Sequence, residues 1–284
     1  MYVIAGATGH TGSVVASTLL AQGHKVRVIV RDEKKGAAWK DKGAEVALAR
    51  LENAAELTAA LRGADGVYAL VPPDFAADDP LAAQTGVAEA WGKAVAAAKP
   101  RHVVYLSSIG AELDGGNGPI LVAHRAEERL RATGVKVTAL RAAYFMENWG
   151  GVVHPVRSDG VLPSMITPGR AVPMVATADI GRVAAELLVA GERAPALVEL
   201  AGPREYSPED VAAAFAGALD RKVDVVPVPA EGIEPALAQA GFKPKLAALF
   251  REMNGAFNAG KLHWSGTPRR GTVAIDEVVR QLVG

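Results

Sequence analysis

A strand that runs directly into three glycines constrains this chain more than any other feature. Residues 2–5 read Tyr-Val-Ile-Ala, and Gly6-Ala7-Thr8-Gly9-His10-Thr11-Gly12 follows without a break. The Gly-x-x-Gly-x-x-Gly spacing differs from the Gly-x-Gly-x-x-Gly turn of many dinucleotide sites, but the physics is shared. Gly6 permits the tight strand-to-helix turn. Gly9 lets backbone approach a pyrophosphate with no side chain between, and Gly12 lets helix and strand pack closely. The amides of His10 and Thr11 then point from a helix N-terminus, where the helix dipole favours an anion. A glycine-rich turn without a ligand is the alternative. The position of the motif, between a strand and a helix within a βαβ unit, favours a dinucleotide.

The rest of the first half repeats that rhythm. Apolar, β-branched runs at 2–5, 25–30, 44–48, 66–71, 102–107 and 136–140 alternate with helical stretches near 11–22, 33–42, 54–62, 81–98 and 119–133. Strands apolar on both faces and joined by helices predict a doubly wound α/β fold, a parallel sheet covered on both sides. Gly23, Gly43, Gly63 and Gly134 each follow a helical stretch, where a left-handed residue is needed. The rhythm breaks over 141–175, rich in glycine, proline and aromatics and read as loop and lobe. Helices at 177–190 and 207–220, a strand at 197–202 and a run of short elements to the end predict a smaller C-terminal lobe.

Thirty-one basic residues balance thirty-one acidic ones. A general nucleic-acid or membrane-surface binder would carry a basic excess, so neither partner is expected. The chain has no cysteine, which removes thiolate catalysis and cysteine-ligated zinc. No His-Glu-x-x-His or comparable metal-ligand spacing occurs. Tyr2–Ala5 is needed as a core strand and leaves no room for a secretory leader, and no run approaches the ~18 apolar residues of a membrane span. A cytoplasmic protein is expected.

Counting past the glycines to the end of the second strand lands on Arg31. A guanidinium there suits a ribose 2′-phosphate, with Lys34 and Lys35 adding charge, and so points to NADP(H). Asp32, next door, is the competing reading: a carboxylate that holds a ribose hydroxyl.

With these residues in place the chain resembles the NmrA-like group of atypical short-chain dehydrogenases/reductases, which includes NADPH quinone reductases, triphenylmethane reductases and non-catalytic NADP(H) sensors. The likeness rests on GATGHTG, Arg31, GADGVYALVPP, HVVYLSSIGA and GVKVTALRAAYFMENW, and covers nearly the whole chain. It implies a Rossmann domain over 1–150, with 171–202 returning to it, and a substrate lobe from 151–170 and 203–284. It further implies that Leu70, Val71, Pro72 and Ser107 border the cofactor, with residues 142–145 near the nicotinamide.

Two departures stand out. Arg50 occupies the place where relatives commonly hold the adenine amine with an aspartate. The Tyr-x-x-x-Lys pair of the wider superfamily is missing, its positions falling on Pro119 and Ala123. His124 is the nearby titratable group that could donate a proton in its place, or simply lie on a helix surface. Glu127 and Glu128, among Arg125, Arg129 and Arg131, read as helix-surface ion pairs. Tyr144, Phe145, Asn148 and Trp149 follow the sixth strand and suit a small flat apolar or aromatic substrate, or packing between lobes. The expected function is hydride transfer from NADPH to a quinone-like or conjugated acceptor. The alternative is NADP(H) sensing without turnover, with a protein partner. A homodimer fits either reading. An epimerase or dehydratase is disfavoured, because those reactions also lean on the absent tyrosine.

Overall fold

The computed structural model describes residues 1–284. Its first half alternates β1 (Tyr2–Ile4), α1 (His10–Ala21), β2 (Val26–Val30), α2 (Glu33–Asp41), β3 (Glu45–Leu48) and α3 (Ala54–Leu61). β4 (Gly66–Ala69), α4 (Pro80–Ala98), β5 (His102–Ser108), α5 (Leu121–Arg131) and β6 (Lys136–Ala142) follow. Gly23, Gly43, Gly63 and Gly134 all carry positive φ, between 72° and 86°, and end the helices where expected.

Strand periodicity explains why the sheet is covered twice. Val3 and Ile4 are neighbours on β1, yet they enter different cores, as do Val67 and Tyr68 on β4 and Val103 and Val104 on β5. Successive side chains on a strand point to opposite faces, so both faces must be packed. Val3 and Ile4 are fully buried, each stabilising the fold by about 1.5–3 kcal/mol.

After β6 come β7 (Tyr144–Phe145), a 3-10 stretch over Met146–Val152, α6 (Val153–Asp159), β8 (Val161–Ser164), β9 (Val172–Val175), α7 (Thr177–Ala190) and β10 (Leu197–Ala201). β11 (Glu205–Tyr206), α8 (Pro208–Leu219), β12 (Asp224–Pro227), α9 (Ala230–Gln239), α10 (Pro244–Asn258), β13 (Arg269–Arg270) and α11 (Ile275–Val283) complete the chain. The main sheet runs β13-β10-β6-β5-β4-β1-β2-β3, with every pairing parallel. Strand order reverses between β1 and β4, the switch point at which doubly wound folds open a crevice.

The stretch 141–175, read from sequence as loop, carries regular structure. β7 and β11 both pair with β9, and β12 pairs with β8. These short strands exist only through partners distant in the chain, so no local pattern announces them. A third core fills the lobe, and it draws Ile109, Ala111, Ile120, Met146 and Trp149 from before residue 150. Met174 and Val172 belong to it as well, while β13 returns from the tail to the main sheet. The lobe core thus takes residues from both sides of position 150. Asp179, at the start of α7, accepts the amides of Thr272 and Val273 at 3.0 and 2.9 Å, which fastens the returning tail.

Candidate active site

The glycine loop closes at the switch point. Gly6 sits at φ +66°, and its carbonyl accepts the Gly9 amide at 2.9 Å. A Cβ on Gly12 would stand 2.4 Å from the Gly6 oxygen and 2.6 Å from that of Ala5, so only glycine lets α1 lie this close to β1. A Cβ on Gly9 would meet nothing nearer than the Gly6 oxygen at 3.4 Å, and the loop is open to solvent there. Ser13 is the first amide of α1 to find a backbone acceptor, Gly9 at 3.2 Å. The amides of His10, Thr11 and Gly12 precede it and carry the positive end of the helix dipole. Thr8, Gly9 and His10 are exposed. Thr11 is not: its hydroxyl accepts from the buried Tyr68 hydroxyl at 3.0 Å, so its side chain holds the loop to β4 and only its amide faces the crevice. Leu70 closes the other side, its Cδ2 placed where a Gly6 side chain would be. The Leu70 and Pro72 carbonyls are fixed by Trp91 Nε1 at 3.0 Å and Gln84 Nε2 at 3.3 Å.

The two candidates after β2 are treated differently by the fold. Asp32 caps α2, its carboxylate accepting the Lys35 amide at 2.9 Å. Arg31 is exposed, with no partner in the chain for its guanidinium. Arg50 is not free: it pairs with Glu56 at 2.8 Å on the rim beyond β3.

Ser107 and Arg141 are register partners on β5 and β6. Both reach the carboxylate of Glu127 on α5: Ser107 Oγ donates to Oε1 at 2.5 Å, and Arg141 donates Nε to Oε1 and Nη2 to Oε2, each at 2.9 Å. Arg131 adds a bond at 2.6 Å, and Arg141 also pairs with Glu112 at 3.0 Å. Glu127 is 1 % exposed. This corrects the surface reading of Glu127. Its pair with Arg131 does lie on the helix, but the carboxylate faces inward. Burial alone would raise its pKa; the Arg141 fork, the Ser107 hydroxyl and Arg131 outweigh that and hold it below the usual carboxylate range. One signal in the sequence could have found the cluster. An arginine inside the apolar run KVTALRAA needs a buried acid, since an unpaired internal charge is prohibitively costly.

His124 is half-buried on α5. Its Nδ1 lies 2.9 Å from the Ala111 carbonyl, which only an N–H can satisfy, and its Nε2 lies 3.6 Å from Glu128, one turn on along α5. Nδ1 is engaged, and the ring ties the segment after β5 to α5. Pro119 lies in the 3-10 turn preceding α5 and Ala123 in its first turn.

The aromatic segment divides as well. Tyr144 is half-buried; burial pushes its hydroxyl up to about 12, partly offset by the adjacent Asn148 side chain. Asn148 is exposed, and Phe145 packs on the main-sheet core. Trp149, expected to face a substrate, is instead a lobe-core residue with its indole N–H on Met174 Sδ at 3.4 Å. Glu147 is turned to α7, accepting the Thr177 amide and hydroxyl at 2.8 and 2.6 Å.

Two surface cavities lie elsewhere. One of about 610 Å³, lined by Tyr2, His24, Asp65 and Arg193 among others, opens at the amino end of the sheet, and one of about 760 Å³ lies between α9 and α10. Neither adjoins the glycine loop. No group of three or more His, Asp or Glu side chains is placed to share a metal ion, and no helix is long and apolar enough to cross a membrane.

The fold and the loop at its switch point define a Rossmann-like α/β protein with an added lobe. The chain belongs to the NmrA-like family, whose model matches residues 2–276. It is 26% identical over 258 residues to an NAD(P)H azoreductase of Xenophilus azovorans, covering 89% of this chain and 86% of that one. Its backbone is similar to that of the NADPH-dependent quinone oxidoreductase QOR2 of Escherichia coli crystallised with NADPH, with a TM-score of 0.85, 21% identity and full coverage of both chains. It is also similar to triphenylmethane reductase of Citrobacter sp. in complex with NADP(H), with a TM-score of 0.82, 20% identity and coverage of 99% and 100%.

Proposed function

We propose that this protein is an NADPH-dependent reductase of small conjugated acceptors, of the quinone or dye class. The observation that carries the reading is the glycine cradle, in which Gly12 lets α1 lie directly on β1, Gly9 leaves the loop open, and the first helix amides are left for an anion. Gly6, Thr8, Gly9, His10, Thr11 and Gly12 would hold the pyrophosphate through backbone groups. Arg31, unpaired while Asp32 is spent on its helix cap, would take the 2′-phosphate with Lys34 and Lys35 nearby. Leu70, Val71, Pro72 and Ser107 would border the cofactor. The relatives named above are reductases of azo, quinone and triphenylmethane compounds, all conjugated, and that supports the acceptor class.

When bound, NADPH would supply a hydride; a quinone or azo acceptor would take one further proton from water, whereas a cationic triphenylmethane dye would need the hydride alone. The chain's own part is alignment and exclusion of water. Ser107 gives its proton to Glu127, so it would meet the ligand only as a hydrogen-bond acceptor. Tyr144 keeps its proton and would donate a hydrogen bond to an acceptor oxygen, steadied by Asn148. In this reading residues 1–150 and 171–202 serve mainly the cofactor, 151–170 and 203–284 mainly the acceptor, and the setting is the cytoplasm.

Sensing without turnover is favoured by one observation, the loss of Tyr-x-x-x-Lys at Pro119 and Ala123. NADPH oxidation followed with quinones, azo dyes and triphenylmethane dyes, with NADH in parallel, separates the two. Turnover stronger with NADPH is the expected outcome. Tight NADPH binding with no turnover on any acceptor would transfer the assignment to sensing.

A further inference from the structure

The connection between β4 and α4 is a strap from the sheet to the lobe. It leaves the sheet at Leu70, packed on Gly6, and eight residues later its far end is bound to the lobe. Lys243 pairs with Asp78 at 2.8 Å and also reaches the Ala76 carbonyl, while Lys245 pairs with Asp79 at 2.7 Å. Between these anchors Phe75, 53 % exposed, meets Phe242 edge to face with ring centroids 5.6 Å apart, and Phe242 meets Phe250 in the same way at 5.6 Å. Phe250 and Phe257 lie on one face of α10, two turns apart. Phe257 in turn meets Tyr144 at 5.7 Å. In a chain that is only 5% aromatic, rings from the strap, the α9–α10 pair and β7 are thus drawn together, on a strap whose first residue packs on Gly6.

We propose that Phe75, Phe242 and Phe250 form a second aromatic wall of the acceptor site, extending the one begun by Tyr144 and Phe257, and select for planar conjugated acceptors. The assignment presupposes the reductase function given above for the same crevice. A single exposed phenylalanine is ordinary. This one is held edge-on by a second ring, on a segment that starts at the cofactor loop, and it presents the kind of surface on which a flat π-system stacks. The two ion pairs that fasten the strap are exposed, so they are individually weak and screened by salt. The strap can therefore release to admit an acceptor and close again on it.

The test is equilibrium dialysis of malachite green, and separately of menadione, against NADP⁺-saturated protein, with steady-state KM and kcat measured alongside. Phe75→Ala removes an exposed ring and leaves the fold intact; Phe242→Ala is read only with its unfolding midpoint checked. Both are expected to weaken dye and quinone binding about three- to tenfold and to raise KM in step, with NADPH affinity within about twofold of the parent. Val189→Ala, an exposed apolar position at the C-terminal end of α7, should change neither. Raising the salt concentration should weaken acceptor binding by the parent more than by Asp78→Asn/Asp79→Asn. Dye binding weakened by Phe75→Ala in a protein that turns over no acceptor would overturn the reductase function and support the wall. Turnover with KM unchanged in both phenylalanine variants would overturn the wall and keep the reductase. Failure of the parent to bind either probe would overturn the wall.

Discussion

Arg141 and Glu127 form a doubly hydrogen-bonded ion pair in the interior, with both N–O distances 2.9 Å and both side chains nearly inaccessible. The pair sits beside Ser107 near the end of β5, so the same carboxylate orients that buried hydroxyl and neutralises an arginine of β6.

Removing that carboxylate leaves the Arg141 charge buried with only Glu112 and the more distant Glu199 to offset it. Glu127→Ala is expected to cost about 3–5 kcal/mol in urea unfolding, whereas Glu128→Ala, on the exposed side of the same helix, should cost under about 0.5 kcal/mol. The Glu127 carboxyl is held below its ordinary value of 4.5. Its stabilisation is therefore fully present above that pH and is lost as pH falls through the lowered folded value. Acid unfolding of the parent should steepen below about pH 4.5, a feature Glu127→Gln should lack.

His102 makes a second pH prediction. Its Nε2 lies 2.9 Å from Thr138 Oγ1, whose own proton goes to the Pro195 carbonyl, so Nε2 carries the hydrogen and the buried Nδ1 has no partner. Burial, with a smaller contribution from Lys136, lowers its pKa from 6.5 to about 4. The folded protein resists protonation that the unfolded chain accepts, so stability is full above pH 6.5 and falls as pH drops from there toward 4. By pH 5 the loss should be about 2 kcal/mol, and His102→Gln should flatten that slope in urea titrations repeated from pH 7 to 5.

Arg31→Ala should weaken NADPH by about ten- to a hundredfold, the worth of a charge-assisted bond, and NADH by less than about twofold. Asp32→Ala should do the reverse of discriminating: it removes a helix cap, costing about 1 kcal/mol of stability, and leaves the NADPH/NADH ratio unchanged. Equal losses of both cofactors in Arg31→Ala would mean that Arg31 does not read the phosphate.

His124→Asn tests whether the histidine delivers a proton or only holds a loop. Because Nδ1–H is given to Ala111, the expected change is about 1 kcal/mol in stability with kcat within about twofold. A kcat loss of a hundredfold that alters the pH profile would restore the catalytic role.

Most of the sheet and the glycine cradle were legible in the chain itself because their causes are local. Gly6, Gly9 and Gly12 act on backbone a few residues away, strand runs alternate at period two, and Gly23, Gly43, Gly63 and Gly134 take positive φ where helical stretches end. Arg31 was equally readable, since its place follows from counting to the end of β2. What tertiary structure decided was where side chains at long range meet. It turned Glu127 inward to a serine and an arginine 20 and 14 residues away, buried Trp149 on Met174, and joined β7 to β9 across a gap no periodicity spans. It also brought Phe75 to Phe242, 167 residues on, as in the Lys243–Ala76 contact beside it. A short-range pattern carries no information about such meetings, because the energy that selects them, pairing of buried charge and contact of apolar surface, exists only once the sheet and the lobe have packed together.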